Sequence, residues 1–150
     1  MNSSSDMFTH LRELILREGP ISVAHFMEEA LYNPTLGYYT GRDPIGARGD
    51  FTTAPEICQI FGELIGIWCV KVWQDIGAPE SLQLVELGPG RGTLLVDALR
   101  ATQNIQGFHS SINLNLVEIS DILRAKQKVS LKAFSETVGE PIWFDDLSQV

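Results

Sequence analysis

Three glycines at alternate positions, Gly88, Gly90 and Gly92, stand between the apolar run "LQLVEL" and the amphipathic stretch "TLLVDALRA". Glycine inside a regular element costs roughly 0.5–1 kcal/mol relative to alanine, so three so close together imply that the backbone itself is needed there. The period also changes at this point. A short apolar run suits a strand buried on both faces, and the stretch after the glycines has the spacing of a helix. Strand, tight loop and helix therefore follow one another directly.

Downstream the pattern repeats. "NLNLVEI" reads as a second strand, Ser120 caps a helix through "DILRAKQKVSL", and "PIWF" begins a third strand. The order β-α-β-α-β with right-handed crossovers makes a parallel, doubly wound sheet. Upstream, Ser5 or Asp6 can cap a first helix that ends at Gly19-Pro20, and Ser22 a second that stops at Asn33-Pro34. Residues 33–55, rich in Gly, Pro, Asp and Thr, read as a long structureless loop, either a lid or binding loop over a ligand or a disordered stretch. A single long, buried helix is predicted from Glu56 to Asp75, ended by Ile76-Gly77-Ala78-Pro79. The fold class is thus α/β: a helical N-terminal region over residues 1–80, including the covering loop, then the first half of a Rossmann-like sheet over 81–150.

The 150 residues suit one module with a real core. A net charge of −8 argues against a general attraction to nucleic acid or to an anionic membrane surface and favours a cationic ligand. The opening "MNSSSDMFTHLREL" has neither a basic region followed by an apolar block nor an Arg-rich bias, so cytoplasmic residence is expected. Cys58 and Cys69, eleven residues apart on the predicted helix, would be roughly 16 Å apart, too far for a disulfide. Both are expected as free thiols in the core. His10, His25 and His109 share no motif, and no metal site is expected.

The letters around the glycines separate the nucleotide-binding alternatives. A Walker loop ends in Gly-Lys-Ser/Thr, whereas Arg91-Gly92-Thr93 stands here. A dinucleotide fingerprint needs glycine at 93, where this chain has threonine. Glu86, two residues before Gly88, would repel a pyrophosphate and attract an ammonium or sulfonium. Glu118 ends the second strand, where a carboxylate can accept both hydroxyls of an adenosine ribose. Either acid also reads as an ordinary solvated strand end.

At these residues "VELGPGRGTLLVDALR" with "LVEIS" resembles the class I S-adenosylmethionine-dependent methyltransferases. Together with "YYTGRDPIGARGDFTTAPEICQIFGELIG" it is similar to the MidA-like family within that class, which includes a mitochondrial complex I assembly-factor protein arginine methyltransferase. The resemblance runs from about Leu31 to Asp146. It implies S-adenosyl-L-methionine as cofactor, with Glu86, Gly88, Gly90 and Gly92 at its methionine end, Glu118 on the ribose and Asp145 near the adenine amino group. Asp146 competes for that last role. Gly49, Asp50, Phe51, Thr52 and Thr53 would fold over the cofactor, while Arg42, Asp43 and Arg48 read equally as solvated loop charges.

The resemblance further implies methyl transfer to a protein side chain, arginine first, with a respiratory complex I subunit as the candidate partner and homo-oligomerisation open. Family members carry an Asn/His-Glu-Phe-Phe-Asp segment on a later strand, absent up to Val150, so no catalytic residue is named and the chain taken alone is expected to be inactive. Two other readings stay open: a non-catalytic assembly protein that keeps the pocket, and an NAD-dependent oxidoreductase.

Overall fold

The computed structural model describes residues 3–41, 45–46 and 49–150. Arg42, Asp43 and Arg48 lie outside the described residues. The chain divides into two compact units, Met1–Asp43 and Pro44–Val150.

In the first unit, helix α1 spans Ser3–Glu18 and α2 spans Val23–Tyr32. α1 starts ahead of the cap expected at Ser5 or Asp6, and Asp6 instead places its negative charge in the first turn. Ser22 caps α2 as expected, accepting from the His25 amide at 3.1 Å. α2 ends at Asn33, whose backbone is extended ahead of Pro34. The residues after it are not structureless. Asn33 Oδ1 accepts the Thr35 and Leu36 amides, both at 3.1 Å, and the Tyr38 and Tyr39 amides return to Ala30 and Leu31 of α2. A composition rich in turn formers was read as a lack of structure, whereas Asn33 uses its side chain to build a turn.

The second unit contains α3 (Ala54–Ile57), α4 (Gln59–Asp75), β1 (Leu82–Leu87), α5 (Thr93–Thr102), α6 (Phe108–Ser111), β2 (Ile112–Val117), α7 (Asp121–Leu131), α8 (Ser135–Val138) and β3 (Ile142–Phe144). The strands form one parallel sheet in the order β1-β2-β3, with Leu82 opposite Ile112 and Asn115 opposite Ile142. The α/β class and the β-α-β-α-β order read from the sequence are present. The border between compact units falls before α3, because α4 packs on α5 beside the sheet; residue 80, where the sequence period changes, lies inside the second unit.

The α4–α5 contact depends on two glycines. A Cβ on Gly66 would lie 2.6 Å from the Ala98 carbonyl oxygen, and one on Gly62 would lie 2.6 Å from Asp97 Cβ, so the helices meet backbone to side. Beyond them Val70 and Trp73 join Leu95, Leu99, Phe108, Leu114, Leu116 and Leu131 in the core.

Three expectations change here. The predicted 56–75 helix is broken at Cys58, which is extended at φ −143° and ψ 112°, so α3 and α4 are separate helices. α4 is buried on one side only, leaving Ile60, Leu64, Ile67 and Trp68 exposed. A run apolar all round was read as a buried helix, but α5 covers only its glycine face. The strand expected to be buried on both faces is also the less covered one: β1 is half-buried and, among the described residues, pairs only with β2, whereas Leu116 of β2 is fully enclosed.

Candidate functional site

The end of β1 carries the chain into the glycine loop. The Gly88 amide donates to the Val117 carbonyl at 2.9 Å, which holds the loop's start against the end of β2. Gly88, Gly90 and Gly92 all have positive φ, at 61°, 57° and 79°, a region that side chains other than glycine's rarely enter. At Gly90 the space is restricted as well, since a Cβ there would lie 2.7 Å from Ile45 Cδ1. Gly92 is the N-cap of α5, and its amide returns to the Pro89 carbonyl at 2.8 Å.

Beside this loop is a cavity of about 160 Å³ lined by Ile45, Thr53, Glu56, Glu86, Gly88 and Gly90, among others. Small-molecule sites usually measure roughly 300–1,000 Å³, so this one has room for only part of a ligand of that size. Glu86 Oε2 is enclosed and, among the described residues, has no hydrogen-bond partner. Its other neighbour is an apolar cavity of about 240 Å³ between α4, β1 and α5. Burial against these walls pushes the Glu86 carboxyl up to about 7. Glu56 supplies a second carboxylate, accepting from Thr93 Oγ1 at 2.5 Å and lying 3.9 Å from an Arg91 nitrogen.

A second group of residues gathers where β2 ends. Glu118 is 8% exposed. Its Oε1 accepts the Ser120 amide at 2.9 Å and its Oε2 accepts Gln127 Nε2 at 3.3 Å. Burial raises its pKa, and the bonds from Ser120 and Gln127 and the charge of Arg124 act against that rise. Arg124 Nε donates to the Glu118 carbonyl at 2.5 Å, while its Nη2 donates to Asp145 Oδ1 at 2.5 Å. Asp145 and Asp146 thus have different surroundings: Asp145 is exposed and bound to Arg124, whereas Asp146 caps the following turn through the Ser148 amide at 2.8 Å.

Of the covering segment, Thr53 lines the cavity. Phe51 pairs with Ile45 in an isolated bridge, its carbonyl taking the Gly46 amide at 2.8 Å, and Gly49 donates to the Gly46 carbonyl at 2.8 Å. Asp50 and Thr52 are exposed. His109 is a buried core residue between Thr102 and Thr137 hydroxyls. Both cysteines are free, but Cys58 at the helix break is exposed, contrary to the expectation of a core thiol, because the break turns it out of the apolar face; Cys69 is half-buried.

Sequence reasoning missed Glu56, Gln127, Arg124 and Trp143. Gln127 left a signal, since it occupies the apolar stripe of α7 four residues from both Leu123 and Leu131, where a polar side chain needs a partner. Glu56 left none beyond being an acid in the first turn of a short helix.

Residues 64–150 match the protein family described as "Putative S-adenosyl-L-methionine-dependent methyltransferase". The chain is 50% identical to protein arginine methyltransferase NDUFAF7, mitochondrial, of Danio rerio over 83% of this chain and 30% of that protein. The protein of the same name from Homo sapiens is 42% identical over 99% of this chain and 35% of its own length. A crystal structure of a Burkholderia thailandensis protein bound to S-adenosyl-homocysteine superposes with a TM-score of 0.77 at 28% identity, covering 97% of this chain and 38% of that one. The chain therefore spans between 30% and 38% of the length of these relatives.

The mitochondrial names overturn the cytoplasmic residence expected from the opening residues. Compartment is read by receptors from short address segments, and the composition of a folded domain does not report it. The family match covers more than half of the chain, and the chain belongs to this family of S-adenosyl-L-methionine-dependent methyltransferases.

Proposed function

We propose that this chain forms the cofactor-binding part of a methyltransferase that transfers the methyl group of S-adenosyl-L-methionine to an arginine of a protein. The observation that carries this reading is Glu86 Oε2, enclosed and, among the described residues, without a hydrogen-bond partner, on a side chain that lines a small cavity beside the glycine loop. A buried acid without a partner is costly. A cationic group in the cavity would ionise it and form a charge-assisted pair, which fits the ammonium or sulfonium of this cofactor and not a pyrophosphate.

In this reading Glu86 holds the cationic end, and the backbone of Gly88, Gly90 and Gly92 lies along the cofactor. Glu118 accepts the ribose hydroxyls through the lone pairs that Ser120 and Gln127 leave open. Asp145 approaches the adenine amino group, and residues Gly49 to Thr53 exclude water from above. When bound, the cofactor supplies an electrophilic methyl group on sulfur. The chain's own work is to align that group and keep water out. Arginine stays protonated at neutral pH, so the acceptor also needs carboxylates that polarise it, and none is assigned among these residues. The relatives' names support arginine as the acceptor residue. A respiratory complex I subunit is the acceptor protein to test first.

Equilibrium dialysis of the purified chain against labelled S-adenosylmethionine and, in parallel, NADH tests the reading. Retention of the first and not the second is expected. Retention of NADH alone would overturn it in favour of an oxidoreductase.

A further inference from the structure

The side chain of Gln127, fully enclosed, touches three separate parts of the second unit. Its Nε2 donates to the Gly90 carbonyl at 2.7 Å and to Glu118 Oε2 at 3.3 Å, and its Oε1 accepts from Trp143 Nε1 at 2.7 Å. An amide nitrogen carries two hydrogens, one for each of these acceptors. The indole N–H can only donate, so it fixes which end of the amide is oxygen and directs the nitrogen toward Gly90 and Glu118. The stem of Gln127 also lies behind the loop, where a Cβ on Gly92 would be 3.7 Å from Gln127 Cγ.

We propose that Gln127 is a positioning residue that ties the Glu118 carboxylate to the backbone of the glycine loop, fixing the spacing between the ribose end and the methionine end of the cofactor site. The inference rests on the ribose reading of Glu118. Packing alone would be served by leucine, as at Leu123 and Leu131 on the same stripe. Glutamine is useful there because its single planar group spans from β3 to both halves of the site. The two groups that it holds, the Gly90 carbonyl of the glycine loop and the Glu118 carboxylate after β2, lie on either side of the hydrogen bond from the Gly88 amide to the Val117 carbonyl, and Gln127 adds a side-chain link to that backbone one.

The tether has a consequence beyond packing. The Gln127 donation favours the ionised form of Glu118, together with the Ser120 amide and the charge of Arg124 from α7; Asp145, after β3, faces Arg124 and offsets part of its charge. Glu118 is an acid raised by burial, so losing one of these donors moves its titration further up.

The test is a carbon-13 carboxyl titration of the 150-residue chain by NMR, with the Glu118 signal assigned through Glu118→Gln, and calorimetry with S-adenosylhomocysteine alongside. Gln127→Met keeps the length of the side chain and removes its donors. It is expected to raise the Glu118 midpoint by about half a unit to one unit and to weaken ligand binding about tenfold. Trp143→Phe leaves Gln127 in place without the group that orients it, so it should shift the midpoint in the same direction by less, and it carries the test if Gln127→Met does not fold. A Glu118 midpoint that does not move in either variant overturns the tether. A midpoint that moves while Glu118→Gln binds S-adenosylhomocysteine as tightly as the parent keeps the tether and refutes the ribose reading on which its function rests.

Discussion

Thr93 and Glu56, 37 residues apart, share a hydrogen bond of 2.5 Å that joins the first residue of α5 to the short helix α3. α3 therefore does not hang on the preceding loop alone but is anchored at the end of the glycine turn. Thr93→Val keeps the shape and removes the donor. Hydrogen bonds to charged groups are worth about 1.5–3 kcal/mol, and partial exposure reduces this, so urea denaturation should show a loss of about 1–2 kcal/mol. Faster amide exchange at Glu56 and Ile57 should accompany it. An unchanged midpoint with unchanged exchange would show that the contact holds nothing in place.

Glu86 gives the molecule a definite pH dependence. Its folded pKa of about 7 lies above the ordinary value of 4.5, so the neutral acid is favoured by folding. The stability this contributes is fully present below about pH 4.5 and is lost as pH rises through about 7, by about 2–3 kcal/mol. Glu86→Gln stays neutral throughout. Denaturation of the two proteins from pH 5 to pH 8 should therefore show the variant gaining on the parent across this window, and parallel curves would refute the raised pKa.

The same ionisation acts on the ligand in the opposite direction. A cationic group beside Glu86 needs the carboxylate, so affinity for S-adenosylmethionine should rise between pH 6 and 8, with a proton released on binding. Calorimetry in two buffers of different ionisation enthalpy measures that proton. No release near pH 6.5 would separate Glu86 from the cation.

Gly66 and Gly88 should fail in different ways. A Cβ on Gly66 would lie 2.6 Å from the Ala98 carbonyl oxygen, which is backbone and cannot swing aside, so Gly66→Ala should push α4 off α5 and cost about 1–3 kcal/mol. At Gly88 a Cβ meets nothing within 4 Å, and only the positive φ opposes it. Gly88→Ala should cost about 1 kcal/mol in stability and more in ligand affinity than Gly66→Ala does. The two costs are read from urea curves and dialysis on both variants, and a larger stability loss at Gly88 would contradict the packing described.

The strands, the glycine turn and the Ser120 cap were legible because each depends on neighbours in sequence: an apolar run, a missing side chain, a serine before a helix. The turn after α2 was not, since it depends on Asn33 spending its side chain on backbone amides. The exposure of α4 was hidden because its apolar pattern states what wants covering and not what covers it. The two carboxylates expected at the site, Glu86 and Glu118, were visible as acids at strand ends. Glu56 and Arg124 were not, because their partners lie 37 and 21 residues away and no local pattern encodes that distance.

In the proposed site, residues 44–150 bind S-adenosylhomocysteine through the carboxylate of Glu118. Calorimetric titration of the chain and of its Glu118→Ala variant tests this most directly. Two charge-assisted bonds at about 1.5–3 kcal/mol each predict a loss on the order of a hundredfold in affinity, beyond the lower melting temperature that the loss of the Ser120 and Gln127 bonds brings to the free protein. A variant that binds within about threefold of the parent, a difference under 1 kcal/mol, would contradict the account.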